Sequence, residues 1–174
     1  MIDYLKFQRT ICIELGKRIS SVCGVPCLVK AMSKERGIYD DFSRAKNTEL
    51  EISYSVVLSN DIYNFIVIAS KPLLAGLAYS FLGISEQDVS GDRTKLPLLE
   101  KFIGKYIHKT IYDNYKYHIP NLGLGTAEEQ LGKTNMFVGN DELHYTAFPI
   151  FIAGKELGCI YICCSPDVSK EILE

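Results

Sequence analysis

Phe65-Ile66-Val67-Ile68-Ala69-Ser70-Lys71-Pro72-Leu73-Leu74 and Cys159-Ile160-Tyr161-Ile162-Cys163-Cys164-Ser165-Pro166-Asp167-Val168 follow one pattern. Each runs an apolar strand into a serine and then a proline. Serine suits a helix N-cap, and proline suits the first helical turn, where a missing N–H costs nothing. Two strand-rich stretches precede each copy, and a long amphipathic helix precedes those. The repeat predicts a single α/β domain over residues 1–174 with pseudo-twofold halves at about 1–83 and 94–174, and apolar hairpins alternating with amphipathic helices predict a roughly six-stranded sheet covered by helices. Such a plan points to a scaffold or binding module more than to an enzyme.

Working outward, residues 3–23 carry Leu5, Ile11, Leu15, Ile19 and Val22 near helical spacing, with Gly24 and Pro26 as a stop. Residues 26–32 read as a short strand, 34–44 as a connecting helix or turn, and 49–58 as an alternating strand. Ser59-Asn60-Asp61 makes a turn into the strand at 63–69, and 71–81 is a helix with Leu73, Leu74, Leu77 and Phe81 inward. The second half opens with a helix at 96–115, whose inward stripe is Leu99, Phe102, Ile103, Tyr106, Ile107 and Ile111. A loop at 118–125, a weak strand at 129–138 and a turn at 139–141 follow. Strands at 143–152 and 157–164 are joined through Ala153-Gly154-Lys155, and a short helix at 166–173 ends the chain.

Composition excludes several function classes. A formal net charge of −2 gives no basic surplus for phosphate neutralisation, so nucleic acid is not an expected partner. The row Lys101, Lys105 and Lys109 reads as a solvated helix face. No run reaches the roughly 18 apolar residues of a membrane span. Asp3, Lys6, Arg9 and Glu14 break any leader-like apolar core, so a cytoplasmic setting with six reduced thiols is expected.

The motifs that could carry chemistry are weak. Residues 127–134, Ala-Glu-Glu-Gln-Leu-Gly-Lys-Thr, fit a loose phosphate-loop pattern, but Glu128 and Glu129 place negative charge where amides should cradle phosphate. Cys23 and Cys27 could supply two zinc ligands, yet no second pair exists to complete four. His108, His118 and His144 are isolated. Asp40-Asp41 and Glu128-Glu129 read as solvated surface, and no Gly-x-Ser-x-Gly elbow is present. No catalytic residue, cofactor or metal is expected. Tyr106, Tyr112, Tyr115 and Tyr117 suit either core packing or a partner surface.

Three stretches resemble the middle domain of the flagellar motor switch protein FliM, in the CheC/FliM-like family. Residues 72–83, Pro-Leu-Leu-Ala-Gly-Leu-Ala-Tyr-Ser-Phe-Leu-Gly, are similar to the family's helix that ends in phenylalanine and a glycine-rich loop. Arg93-Thr-Lys-Leu-Pro-Leu-Leu-Glu100 is similar to the opening of its second long helix. Residues 145–166 are similar to its closing hairpin, with Gly158 before the apolar strand and Pro166 after it.

The resemblance implies a CheC-like α/β/α fold with pseudo-twofold symmetry, in agreement with the repeat. It also implies a cytoplasmic, non-enzymatic ring component at the inner-membrane base of a flagellar motor. The implied partners are a FliG-like switch protein, neighbouring copies of the chain and a FliN-like protein. By position in the family, Leu82, Gly83, Ile84, Ser85 and Glu86 form the partner-binding loop. The family's Gly-Gly-x-Gly contact is reduced here to Gly83-Ile-Ser-Glu. The family's N-terminal CheY-binding segment and C-terminal FliN-like domain have no counterpart in these residues, which leaves open an excised fragment or a divergent stand-alone member.

Two alternatives share the architecture. One is the cytosolic ring, or sorting platform, protein of type III secretion systems. The other is the CheC-type phosphatase of phosphorylated CheY, whose Glu-x-x-Asn set uses a carboxylate to orient a cation and an amide to position water. No glutamate here has asparagine three positions later; Glu14 is followed by Lys17 and Glu100 by Ile103.

Overall fold

A computed structural model of the chain describes residues 4–46, 54–61, 63–83, 96–126 and 139–168. Their elements run α1 (Tyr4–Cys23), β1 (Cys27–Val29), β2 (Glu35–Ile38), α2 (Tyr39–Ala45), β3 (Tyr54–Ser59) and β4 (Asn64–Ala69) in the first half. Next come α3 (Lys71–Leu82), α4 (Leu96–His118), β5 (Gly123–Leu124), β6 (Glu142–Ile152) and β7 (Lys155–Cys164). Residues 166–168 begin a further helix.

Among the described residues seven strands form one antiparallel sheet in the order β1-β6-β7-β4-β3-β5, with β2 also paired to β6. The order is a palindrome of the two halves. β7 and β4 are central neighbours, β6 and β3 flank them, and each edge strand pairs with the opposite half. Both central strands run straight into their prolines, Pro72 and Pro166. The repeated strand–serine–proline pattern thus corresponds to the symmetric heart of the fold.

Strand alternation divides the core. Phe65, Val67 and Ala69 face one side with Ile160, Ile162 and Cys164, while Ile66 and Ile68 face the other with Tyr161 and Cys163. All are buried, which is why β4 and β7 read as unbroken apolar runs instead of alternating ones. The first face receives Ile11, Leu15 and Ile19 of α1, Leu73, Leu74 and Leu77 of α3, and Ile103, Ile107 and Ile111 of α4. Each such side chain contributes about 1.5–3 kcal/mol by leaving water. On the second face Phe42 of α2 packs against Tyr145 and Tyr161, with ring centroids 4.7 and 5.7 Å away.

Several expectations need correcting. Residues 34–44 are not one connecting helix or turn: Glu35–Ile38 pairs with β6 before α2 begins. The eleven-residue β6 is too long for β1 to cover, so its first half takes a second partner. The loop at 118–125 contains β5, which extends β3. Phe81, expected inward, is 43% exposed, because the last turn of α3 overhangs the packed layer. Phe102, also expected inward, is 53% exposed and stacks near Tyr106 at 6.5 Å. It lies about 100° around the helix from Ile103, off the stripe that the sheet covers. The expected strand at 129–138 and the chain from Ile84 to the start of α4 lie outside the described residues.

The seat of α3 depends on backbone proximity. Ser70 sits at the N-cap position, but its hydroxyl makes no cap bond to the helix; it accepts the Cys159 amide at 3.1 Å. A Cβ on Gly158 would stand 2.6 Å from the Leu73 nitrogen and 2.7 Å from Ser70 Oγ. A register shift in β7 opposite Ile150 and Phe151 leaves Leu157 unpaired. Its side chain lies against Gly76 of α3, where a Cβ would meet it at 3.2 Å.

Candidate interaction surfaces

The chain between α3 and α4 is the partner loop expected from the sequence. α3 ends at Gly83, which adopts a left-handed conformation (φ 66°, ψ 26°) and donates its amide to the Ser80 carbonyl at 3.1 Å. Glycine takes this conformation without a Cβ penalty, so it stops the helix here. Leu82 is 47% exposed beside the exposed Phe81, which places two apolar side chains at the helix end. Ile84, Ser85 and Glu86 lie outside the described residues.

The two long helices run antiparallel over the first face. Phe7 near the start of α1 meets Tyr115 near the end of α4, edge to face at 4.8 Å. At the opposite end, Cys23 of α1 hydrogen-bonds the Leu77 carbonyl of α3, and Lys71 of α3 pairs with Glu100 of α4. Tyr115 is therefore a core residue, whereas Tyr117 is 85% exposed.

Together α1 and α4 carry eight lysines and arginines against three carboxylates, a surplus of +5. Since the whole chain is −2, the remainder is −7. The expected solvated row, Lys101, Lys105 and Lys109, lies on this outer face, with Lys109 paired to Asp113. The basic helical layer is a feature that overall net charge conceals.

The carboxylates best placed for phosphatase chemistry are engaged by lysines. Glu14 lies 3.7 Å from Lys17, and Glu100 pairs with Lys71. Asn114, the one asparagine in the sequences of α1 and α4, donates its side-chain amide to the Thr110 carbonyl at 2.9 Å.

The thiols considered as metal ligands are also occupied. Cys23 donates to the Leu77 carbonyl, and Cys27 lies 3.6 Å from the Val25 carbonyl. Burial raises both, Cys23 to about 11 with the nearby Cys27 adding to it. Burial thus favours the protonated thiol at both positions.

His144 is buried beside Thr146 and Cys164, at a cavity of about 20 Å³ that Phe7, Gln8 and Ile11 also line. That volume suits one water and no larger ligand.

Two surface grooves of about 390 and 400 Å³ lie between α1 and the edge strand. Cys12 and Ile13 belong to both; Arg9 and Ala31 line one, and Lys17 and Leu28 the other. Ile13 is 55% exposed and Leu28 56%, so the walls are apolar under a basic rim. Residues 26–32 read as a short strand from the sequence, but neither its pairing with β6 nor the approach of α1 could be read from periodicity.

A two-sided antiparallel sheet with palindromic strand order, capped by two antiparallel long helices, defines the CheC-like class of fold. Solved structures place the chain within it. The FliM middle domain from H. pylori matches with a TM-score of 0.69 at 13% identity, over 97% of this chain and 92% of that one. FliM in a FliG–FliM complex from H. pylori matches with a TM-score of 0.66 at 14% identity, over 94% and 93%. A chain of the CheX–CheY complex from Borrelia burgdorferi matches with a TM-score of 0.57 at 9% identity, over 95% and 98%. The chain therefore has the fold of the FliM middle domain and its CheC-like relatives. No protein-family model matches the sequence, and no curated protein matches it.

Proposed function

We propose that the chain, as one domain over its whole length, is a non-enzymatic interaction module of a flagellar motor-switch ring. It binds a FliG-like partner through the end of α3 and the loop Leu82–Glu86, and it packs beside its own copies at the cytoplasmic base of the motor. The observation that carries this reading is the near full-length likeness to FliM middle domains, one of them in complex with FliG. Two features of this chain support it. Exposed Phe81 and Leu82 supply an apolar contact at the helix end. Glu100 is paired with Lys71, and neither Glu14 nor Glu100 is followed three positions later by the asparagine that the phosphatase set uses.

Calorimetry against the cognate FliG-like protein tests the binding. Ile84→Asp, melting like the parent by circular dichroism, is expected to weaken it by about 2 kcal/mol or more, because a charge enters an apolar contact. Unchanged affinity in a folded variant would move the interface elsewhere. In a stopped-flow assay the chain is expected not to accelerate phosphate loss from phosphorylated CheY. Clear turnover at substoichiometric protein would replace the ring reading with an enzymatic one.

A further inference from the structure

We propose that the outer face of α1 and α4 is a docking surface for an anionic lipid bilayer, on which the chain adsorbs without inserting. This surface uses none of the residues at the end of α3, and its role is independent of the ring reading. The placement of charge supplies the first reason. α1 turns Ile11, Leu15 and Ile19 onto the sheet, and α4 turns Ile103, Ile107 and Ile111. Phe7 and Tyr115 hold the two helices side by side, with ring centroids 4.8 Å apart. Their opposite faces therefore form one layer toward solvent. Of the eight cations on these helices seven are exposed, and Arg18 is partly buried. The three carboxylates, Glu14, Glu100 and Asp113, are all partly buried, and each already has a lysine: Lys17, Lys71 of α3, and Lys109. The surplus of +5 is thus not answered within the layer. Arg9, Lys105 and Lys116 have no carboxylate partner among the described residues.

Apolar side chains decide which kind of anion fits. Leu98, 70% exposed, shares the outer face of α4 with Lys105, Lys109 and Lys116, at spacings of 7, 4 and 7. On α1 exposed Ile13 stands between Lys6 and Lys17, at spacings of 7 and 4. Exposed Phe102 and Tyr117 add two rings. Apolar and aromatic side chains set among cations on a surface helix suit the boundary between lipid headgroups and acyl chains. A nucleic acid backbone makes no use of exposed leucine and isoleucine. A protein partner is also a poorer match. Six of the seven exposed cations are lysines, which protein interfaces disfavour relative to arginine. The long lysine stem lies along apolar surface while its ammonium reaches the headgroups. The rest of the chain carries −7, so the field turns this face toward a negative bilayer and the remainder away from it.

The test is co-sedimentation of the full chain with vesicles of phosphatidylcholine, alone or mixed with an equal share of phosphatidylglycerol. Binding is expected to the mixed vesicles only, and is expected to weaken as salt rises. Lys105→Glu combined with Lys116→Glu reverses two exposed charges. That variant is expected to melt like the parent by circular dichroism and to bind about tenfold or more weakly. Phe102→Ser is expected to weaken binding about threefold or more at unchanged charge. The chain has no tryptophan, so Phe102→Trp supplies a single fluorophore on this face. Its emission is expected to move to the blue on the mixed vesicles. No binding to the mixed vesicles at low salt, or equal binding to the neutral ones, would overturn the proposal. So would binding that leaves the Phe102→Trp emission unmoved, because another face would then be in contact. Duplex DNA bound more tightly than the vesicles, and equally well by Phe102→Ser, would make a nucleic acid the occupant instead. Stoichiometric displacement from the vesicles by an acidic amphipathic peptide would make it a protein.

Discussion

Ser70 and Cys159 hold each other through two hydrogen bonds. The Ser70 amide donates to the Cys159 carbonyl at 3.0 Å, and the Cys159 amide donates to Ser70 Oγ at 3.1 Å. The serine at the mouth of α3 therefore ties the first half's helix to the second half's central strand. Ser70 is fully buried. Ser70→Ala is expected to strand the Cys159 amide and lower stability by about 1–3 kcal/mol in urea unfolding. A loss below about 0.5 kcal/mol, the range of a surface change, would mean that another acceptor serves that amide.

Gly158 and Gly37 make opposite predictions. A methyl group at Gly158 collides with the start of α3, whereas nothing lies within 4 Å of one at Gly37. Gly158→Ala should destabilise by about 1–3 kcal/mol or more, because helix and strand must part. Gly37→Ala should be neutral or stabilise by up to about 1 kcal/mol, through the unfolded chain's lost freedom. Parallel denaturant curves compare them; similar effects at both sites would contradict the close approach of α3 to β7.

The β6–β7 hairpin turns through Ala153 and Gly154, both with positive φ, at 50° and 78°. Two such residues make the turn whose twist suits a hairpin, and alanine is ill-suited to the first of them. Ala153→Asn is expected to stabilise by about 0.5–1 kcal/mol, since asparagine tolerates the left-handed region. Thermal melts check this; a lower melting temperature would show that Ala153 is not strained.

Tyr145 provides a pH test. Burial first, then its hydrogen bond to Glu35 and that residue's charge, pushes its hydroxyl to about 12 from an ordinary 10.0. The native state therefore holds this proton more tightly than the unfolded chain does. That stabilisation is fully present below pH 10 and is lost as pH rises from 10 toward 12. Glu35→Gln should bring the hydroxyl down toward the ordinary range in a phenolate absorbance titration. An unmoved titration would place the cause in burial alone.

Much of the fold was legible because strong periodicity survives packing. Ile11, Leu15 and Ile19 on α1, and Ile103, Ile107 and Ile111 on α4, lie where their spacing put them. Periodicity overreached at Phe81 and Phe102, since an apolar residue near a stripe does not reveal how far the covering layer extends. It also missed β2, four residues of which only Ile38 is large and apolar, with a pairing supplied by β6 more than a hundred positions away. Of the expected partner loop, the sequence located the helix stop at Gly83, and the structure adds the exposure of Phe81 and Leu82. Neither the pairing of β1 nor the approach of α1 to it had a local signal.

The sequence by itself determined the two strand–serine–proline junctions, the long amphipathic helices and the missing Glu-x-x-Asn set, because these depend on residues adjacent or one helical turn apart. Only the tertiary structure decided that each half lends its edge strand to the other, that Ser70 serves Cys159 instead of its own helix, and that eight cations gather on one helical layer of a chain with net charge −2. Those features join residues far apart in the chain, 89 positions in the case of Ser70 and Cys159. Their geometry is set by which surfaces must be buried together, and local sequence does not encode that.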